Sequence, residues 1–415
     1  MLSNLYLLFI VVTWFIILLK PIYGIYIFNT FLLISPDQFF PEFDSYRLAL
    51  TTAIILLFSC LLREFKITHM KFIGAILLFA GVNVLSILFS DTIRITQFDA
   101  ITIYLKAFSI SIITILFIKK RHELIVYIRF VVTFIACNGL LAVYQQLFQK
   151  HLEASRSVGF QFNSNVLACL LTASLPLAYY LFSHEKSRFL KLMGIVSISC
   201  IVLGVFCSVS RAGLIALTVT ILFIFFKNKN KIVNSVLIFI FVIVFLYFAK
   251  DLLTQRQTVT TSASGRVYYD NSTNIRLQLI QGAFRLWLHN PIWGVGLGNF
   301  MEKNVDESGR KGKFVAHNSF LEILAETGLC GILCFLFILF TSFKMAAQLK
   351  HKERYYQDLA EYLQISLLSS CIVMFFGTFY LSAFFWVLLG LPFVLDNIAG
   401  FENSTALRVK RTATG

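Results

Sequence analysis

Charge is scarce in this sequence: Asp, Glu, Lys and Arg together make up 14% of 415 residues, against 58% hydrophobic residues. That balance excludes a set of soluble domains, which would need far more polar surface, and it equally excludes intrinsic disorder. Proline is nearly absent at six residues, so few apolar runs are broken by it. Ten-residue segments of alternating polarity are also missing, which argues against an outer-membrane barrel. The eight cysteines (Cys60, Cys137, Cys169, Cys200, Cys207, Cys330, Cys334 and Cys371) all fall in apolar segments. They lack the spacing of a zinc site or a disulfide framework and read as small core hydrophobes. What remains is a succession of long apolar runs carrying 45 Phe and 16 Tyr. At ~20 residues per span the chain has room for about a dozen transmembrane helices, an all-α polytopic membrane protein.

The net charge of +15 could suggest a nucleic-acid partner, but in a membrane protein loop topology accounts for it first, and no nucleic acid is expected. Basic clusters lie at Arg63, Lys66 and Lys71; at Lys119, Lys120 and Arg121; at Lys186, Arg188 and Lys191; at Lys227, Lys229 and Lys231; and at Lys344, Lys350, Lys352 and Arg354. The tail adds Arg408, Lys410 and Arg411. A hairpin of two apolar segments separates each cluster from the next, so all can share one side. The positive-inside rule makes that side cytoplasmic and puts the C-terminus inside. The outer loops are then residues 35–46, 90–100, 149–163, a short turn near Ser210 and one long segment, 250–318. Lys20-Pro21 divides two short spans or kinks one re-entrant pair, giving twelve or thirteen spans.

Three outer places are polar in ways that lipid does not tolerate without a reason. In the first, Cys207-Ser-Val-Ser-Arg-Ala-Gly213, a bilayer-centre arginine would cost ~2.5 to 3.5 kcal/mol or more. Arg211 therefore faces a polar cavity or snorkels at the interface, with Ser208 and Ser210 beside it. The second is the long loop. Its first half, residues 254–274, is polar and reads as a mobile cover. In its second half Leu279, Ala283, Phe284 and Trp287 fall at helical spacing until Asn290-Pro291, which predicts an amphipathic helix lying on the membrane surface. Gly294-Val-Gly-Leu-Gly298 then predicts a flexible turn. Arg276 lies in the first turn of that helix, and it and Arg285 can meet a substrate phosphate or simply lipid phosphates. The third place runs from His317 to Gly328, where Glu322 and Glu326 share a helical face one turn below His317 and Asn318. Histidine takes up and returns a proton near neutral pH, and a carboxylate partner can fix its tautomer.

Ser210-Arg-Ala-Gly213, then Arg276, Arg285, Trp287, Pro291 and Gly294-x-Gly-x-Gly-Asn-Phe300, then His317-Asn-x-Phe-Leu-Glu322 with Ala325-Glu326 and Gly328, together resemble the O-antigen ligase and polymerase superfamily. The resemblance covers about residues 159–340. It implies a C-type glycosyltransferase-like membrane fold with the outer loop over the site. It also implies transfer of a glycan from undecaprenyl diphosphate to an envelope acceptor, such as lipid A-core, on the outer face of the bacterial cytoplasmic membrane. By position, Arg211 and Arg276 would bind the diphosphate and His317 would act on the acceptor hydroxyl. Where the family often has Asn-Pro-Asn, this chain has Gly159-Phe-Gln-Phe-Asn-Ser-Asn165, so Asn163 and Asn165 are candidate substrate contacts. Arg285, Asn318, Glu322 and Glu326 are further candidates for the substrate or its surroundings.

The chain thus divides into N-terminal transmembrane helices (1–158), a ligase-like core (159–340, including the loop 250–318) and a C-terminal transmembrane hairpin with a basic tail (341–415). Cleaving a sugar-diphosphate bond leaves negative charge on phosphate, which calls for fixed cations there and a base for the incoming hydroxyl. Two arginines and a histidine supply that set, arginine because its planar fork holds phosphate oxygens bidentately. The outer segments lack a compact acidic cluster, so neither a metal nor another cofactor is expected. The expected partners are the lipid-linked glycan donor, a lipid or glycan acceptor and membrane lipids. A repeat-unit polymerase would use the same residues. A lipid-linked glycan flippase or transporter is the rival of another class; it would more naturally show paired halves with interrupted helices, and Lys106 is the one clear mid-span cation outside these places.

Overall fold

A computed structural model describes residues 2–34, 48–62, 68–148, 157–161, 163–227, 235, 260–261, 267–268, 272–304 and 315–413. The expected outer loops 35–46 and 149–156, the cations Arg63, Lys66, Lys229 and Lys231, and most of 228–271 lie outside the described residues. The chain is helical: α1 Leu2–Leu19, α2 Pro21–Ile34, α3 Leu48–Leu61, α4 Met70–Leu88, α5 Ile95–Phe117, α6 Arg121–Phe148, α7 Ser164–His184, α8 Arg188–Cys207, α9 Arg211–Lys227, α10 Ser272–His289, α11 Phe300–Lys303, α12 Ser319–Gln348, α13 Arg354–Met374 and α14 Ala383–Ala413. The loop expected to be a mobile cover contains a short antiparallel pairing of β1 (Thr260–Thr261) with β2 (Val267–Tyr268).

Of the roughly twelve spans expected, the described residues contain seven helices long and apolar enough to cross a membrane, and two shorter apolar ones, Pro21–Leu33 and Leu48–Cys60. Lys20 separates α1 from α2, with Pro21 at the first helical position, where its missing N–H costs nothing. Most of α7 and of residues 383–402 of α14 is enclosed by other helices, whereas α8 keeps most of its surface outward. Small residues set the closest approaches, as is usual where helices pack in lipid. A Cβ on Gly139 would strike the Cys200 carbonyl, and one on Gly204 would strike Gly139, so α6 and α8 meet backbone to backbone. The aromatic core is centred on Trp386, whose indole donates to the Tyr380 carbonyl at 2.7 Å and packs near Phe79 and Phe108.

The contacts between helix ends define two opposite faces. On one, Arg129 pairs with Glu185, His184 Nε2 lies 3.3 Å from Asp358, Lys227 Nζ lies 2.6 Å from Glu361, and the Arg121 guanidinium stacks 3.3 Å above the Tyr355 ring. These join the α5–α6 turn, the end of α7, the end of α9 and the start of α13. The described parts of the basic clusters at 119–121, 227 and 354 thus gather on one side, as the hairpin count requires. On the other face, Arg94 Nη1 lies 2.8 Å from Glu302 and Lys303 Nζ lies 2.9 Å from Asp91. The Ser157 amide there donates to the Cys207 carbonyl at 3.2 Å. Helices of 23 and 28 residues, ~35 to 42 Å long, separate the two ends of α5 and α6.

Candidate functional site

The site is built on the first turns of α12. Asn318 is extended and caps the helix, its Oδ1 accepting from the Leu321 amide at 3.1 Å. Ser319 donates to the Gly377 carbonyl at 2.7 Å and accepts from the Phe379 amide at 3.0 Å, which ties this helix start to the α13–α14 loop. Immediately before the cap, His317 is left-handed at φ 50°, a conformation uncommon for a side chain with a Cβ. Val209, two residues before Arg211, is left-handed at φ 49°. Two of the three left-handed non-glycine positions among the described residues therefore sit at the motifs, where held strain commonly marks function.

Glu322 faces back toward His317. Its Oε2 accepts from the Ala316 amide at 3.1 Å and from Thr378 Oγ1 at 2.8 Å, so one carboxylate holds the residue preceding His317 against the α13–α14 loop. Its Oε1 lies 3.4 Å from Tyr380 Oη, and Tyr380 bonds in turn to Tyr104 of α5. Glu326, one turn on, accepts from the Phe300 amide at 3.1 Å. Both carboxylates are buried, and with Tyr104, Tyr380, Phe300 and Val315 they line a cavity of about 120 Å³.

The run Gly294 to Gly298 is not the flexible turn its glycines suggest. Gly328 breaks α12 with φ 65° and ψ −160°, leaving backbone groups on both sides of the break without helical partners. The glycine run and the two residues after Asn290 supply them. Val295 and Gly296 amides donate to the Ala325 and Glu326 carbonyls at 2.9 Å, and the Leu329 and Cys330 amides donate to the Pro291 and Ile292 carbonyls at 2.8 and 3.3 Å. A Cβ on Gly294 would strike the Glu326 backbone, and one on Gly328 would strike Ile292, so only glycine allows this approach. The far side of the run is pinned to the α4–α5 turn: Ser86 Oγ accepts from the Leu297 amide at 3.1 Å, and Asn299 Nδ2 donates to Ser90 Oγ at 3.0 Å. Gly294 to Leu297 are accordingly buried.

Arg276, expected in the first turn of the amphipathic helix, lies a turn inside it, because α10 begins at Ser272. Leu279 and Ala283 pack with Phe300, Ala316 and Ala325, joining α10 to the glycine run and to α12. Phe284, Arg285 and Leu288 are exposed, so the helix has an inward protein-facing stripe and an outward apolar one. Arg276 is half-buried beside His317. Burial, and then the Arg276 charge, hold the His317 imidazole below its ordinary value, so it is neutral at neutral pH.

Arg211 is the first residue of α9 and is exposed. The Ser210 hydroxyl accepts from the Gly213 amide at 3.2 Å and donates to Asn165 Oδ1 at 2.9 Å, while Asn163 caps α7 by accepting from the Asn165 amide at 2.8 Å. Gly213 lies against the Cβ of Ala168, which brings the starts of α7 and α9 into contact. The candidates thus form two stations on the same face: His317, Arg276, Asn318, Glu322 and Glu326 in one, and Arg211, Asn163 and Asn165 in the other. Arg285 points away from the first. Sequence reading missed Thr378, Tyr380, Tyr104 and Ser319, whose roles depend on partners 56 to 276 residues away. Among the described residues no group of three or more His, Cys, Asp or Glu side chains is placed to hold a metal ion.

Residues 194–336 match the family described as O-antigen ligase. No curated protein matches the chain. The matched stretch contains Arg211, Arg276, the glycine run, His317 and both buried glutamates, the parts that build the broken helix and its clasp. The chain is a multi-pass helical membrane protein that carries, over residues 194–336, a region matching the O-antigen ligase family.

Proposed function

We propose that the protein is an O-antigen ligase-type glycosyltransferase, moving a glycan from undecaprenyl diphosphate to an envelope acceptor such as lipid A-core on the outer face of the cytoplasmic membrane. The observation that carries this reading is His317, fixed at the head of α12 and kept neutral by burial and by Arg276. A neutral imidazole accepts the proton of the acceptor hydroxyl as its oxygen attacks the anomeric carbon. The bond from that carbon to the diphosphate oxygen breaks, and the electron pair leaves with the diphosphate. Arg276 meets the growing negative charge, and Arg211 holds the same diphosphate from the α9 station. Attack opposite the leaving group inverts the anomeric centre. Asn163 and Asn165 contact the substrate beside Arg211, while Asn318, Glu322 and Glu326 keep His317 in register. Arg285, directed outward with Phe284, meets lipid or carrier phosphate. The basic face is the cytoplasmic one, with the C-terminus inside, and the reaction uses no metal.

The test is transfer from a purified undecaprenyl-diphosphate glycan in liposomes, with and without chelator, by wild type, His317→Ala and Arg276→Ala. Activity is expected to survive chelator and to fall ~10²- to 10⁴-fold in His317→Ala. Full activity in both variants would overturn the mechanism. Omitting the acceptor separates the ligase from a repeat-unit polymerase, because chain growth without it would sink the ligase reading.

A further inference from the structure

A cavity of about 610 Å³ opens on the basic face where α5 ends, α6 begins and α14 reaches Glu402. Lys119, Lys120, Arg121 and Arg129 line it, with Glu402 the one carboxylate among its lining residues. The nearby acids are already engaged. Glu123 accepts from the Lys119 and Lys120 amides at 3.0 and 3.1 Å, Glu185 pairs with Arg129, and Glu402 accepts from the Tyr356 hydroxyl. The cations are less completely satisfied. Arg129 spends one terminal nitrogen on Glu185, but its Nε is buried with no hydrogen-bond partner among the described residues. Lys119 is half-buried, and its Nζ donates to the Ile115 carbonyl at 3.3 Å. Burial lowers its pKa, which an anion in the cavity would oppose.

The remaining wall is apolar. Val126 on α6 and Phe401 on α14 are 45% and 68% exposed, both at the ends of candidate spans, where side chains meet the boundary between headgroups and acyl chains. A free phosphate would use the cations and leave this wall unused. A phosphodiester lipid uses both, placing its phosphate among the lysines and arginines and its acyl chains along Val126 and Phe401. We propose that this cavity binds the headgroup of an anionic phospholipid from the leaflet on the basic face, at a site separate from the one at the head of α12.

The experiment uses the full chain in detergent micelles, with native mass spectrometry counting retained lipid after addition of phosphatidylglycerol or phosphatidylcholine. Phosphatidylglycerol is expected to bind and phosphatidylcholine not to, with affinity about tenfold weaker in Lys120→Gln/Arg121→Gln, since each juxtamembrane cation adds to anionic-lipid attraction. A Lys186→Gln/Lys191→Gln variant, with the same charge change on the same face but outside the lining, is expected to match wild type. Should the first double variant not fold, raising salt on wild type replaces it, and retention of phosphatidylglycerol is expected to fall as salt rises. Equal retention of both lipids, equal weakening in the two double variants, or salt-independent retention would overturn the site. Displacement of the lipid by equimolar glycerol phosphate would show a free-phosphate site and overturn the lipid assignment.

Discussion

The basic face of the helical bundle and the surroundings of His317 satisfy their polar groups by different means. On the basic face charged side chains neutralise one another, as in Arg129 with Glu185 and Lys227 with Asp358 and Glu361. Around His317 it is the backbone that carries the load: buried carboxylates accept from amides and hydroxyls, and the break in α12 is closed by peptide groups of the glycine run. Ion pairs between long side chains tolerate small shifts, because a flexible stem can follow its partner. Backbone bonds across a glycine contact fix position to a fraction of an ångström, and a reacting histidine needs that precision. The difference teaches that the proposed chemistry sits where geometry is least adjustable.

The largest effect expected from breaking this contrast is on rate. His317→Ala is predicted to lose ~10²- to 10⁴-fold in glycan transfer while keeping its melting temperature, which an assay paired with thermal unfolding in detergent would check. Unfolding together with loss of transfer would instead make His317 a structural residue. Next comes Gly294→Ala, which forces a Cβ into the Glu326 backbone at a left-handed position. A loss of ~2 to 4 kcal/mol in stability is expected, from overpacking and from the left-handed penalty together. Gly74→Ala, in α4 with nothing within 4 Å of the new methyl, should be neutral or stabilise by up to ~1 kcal/mol. Equal melting temperatures for the two alanine variants would refute the clasp.

A third prediction sharpens the comparison through pH. The Arg276 charge helps to hold the His317 pKa down, so Arg276→Gln should let it rise. In the proposed mechanism the neutral imidazole is the working form, so activity is expected to fall as pH drops through its pKa. The acidic limb of the pH-rate profile should therefore move to higher pH in the variant, as read from transfer rates across the weakly acidic range. An unmoved limb would mean that Arg276 does not face His317. Smallest is the basic face: a double-mutant cycle on Lys227→Met and Glu361→Gln should give a coupling of about 1 kcal/mol or less, because both partners are partly exposed.

Much of this was legible along the chain. Apolar runs marked the helices, and the basic clusters predicted their own gathering on one side. The Asn318 cap could be read locally, because a capping side chain reaches only a few residues ahead. The amphipathic stripe of α10 was half legible: Leu279 and Ala283 do face protein, but the sequence could not say that the outward apolar residues belong to a second surface. Gly294, Gly296 and Gly298 were visible as glycines and misread as freedom, because their partners at 325 and 326 lie thirty residues away and exist only once α12 breaks.

The sequence by itself determined that this is a helical membrane protein, since apolar length is a local property that acts before any tertiary contact forms. It also determined which residue types could hold a diphosphate and move a proton. Only the tertiary structure decided that Arg276 comes to lie beside His317, that Thr378 and Tyr380 share Glu322, and that a glycine loop mends a broken helix. Each of those depends on hydrogen bonds or charges acting over a few ångströms between residues far apart in the chain, and no pattern in the sequence records which distant groups will meet.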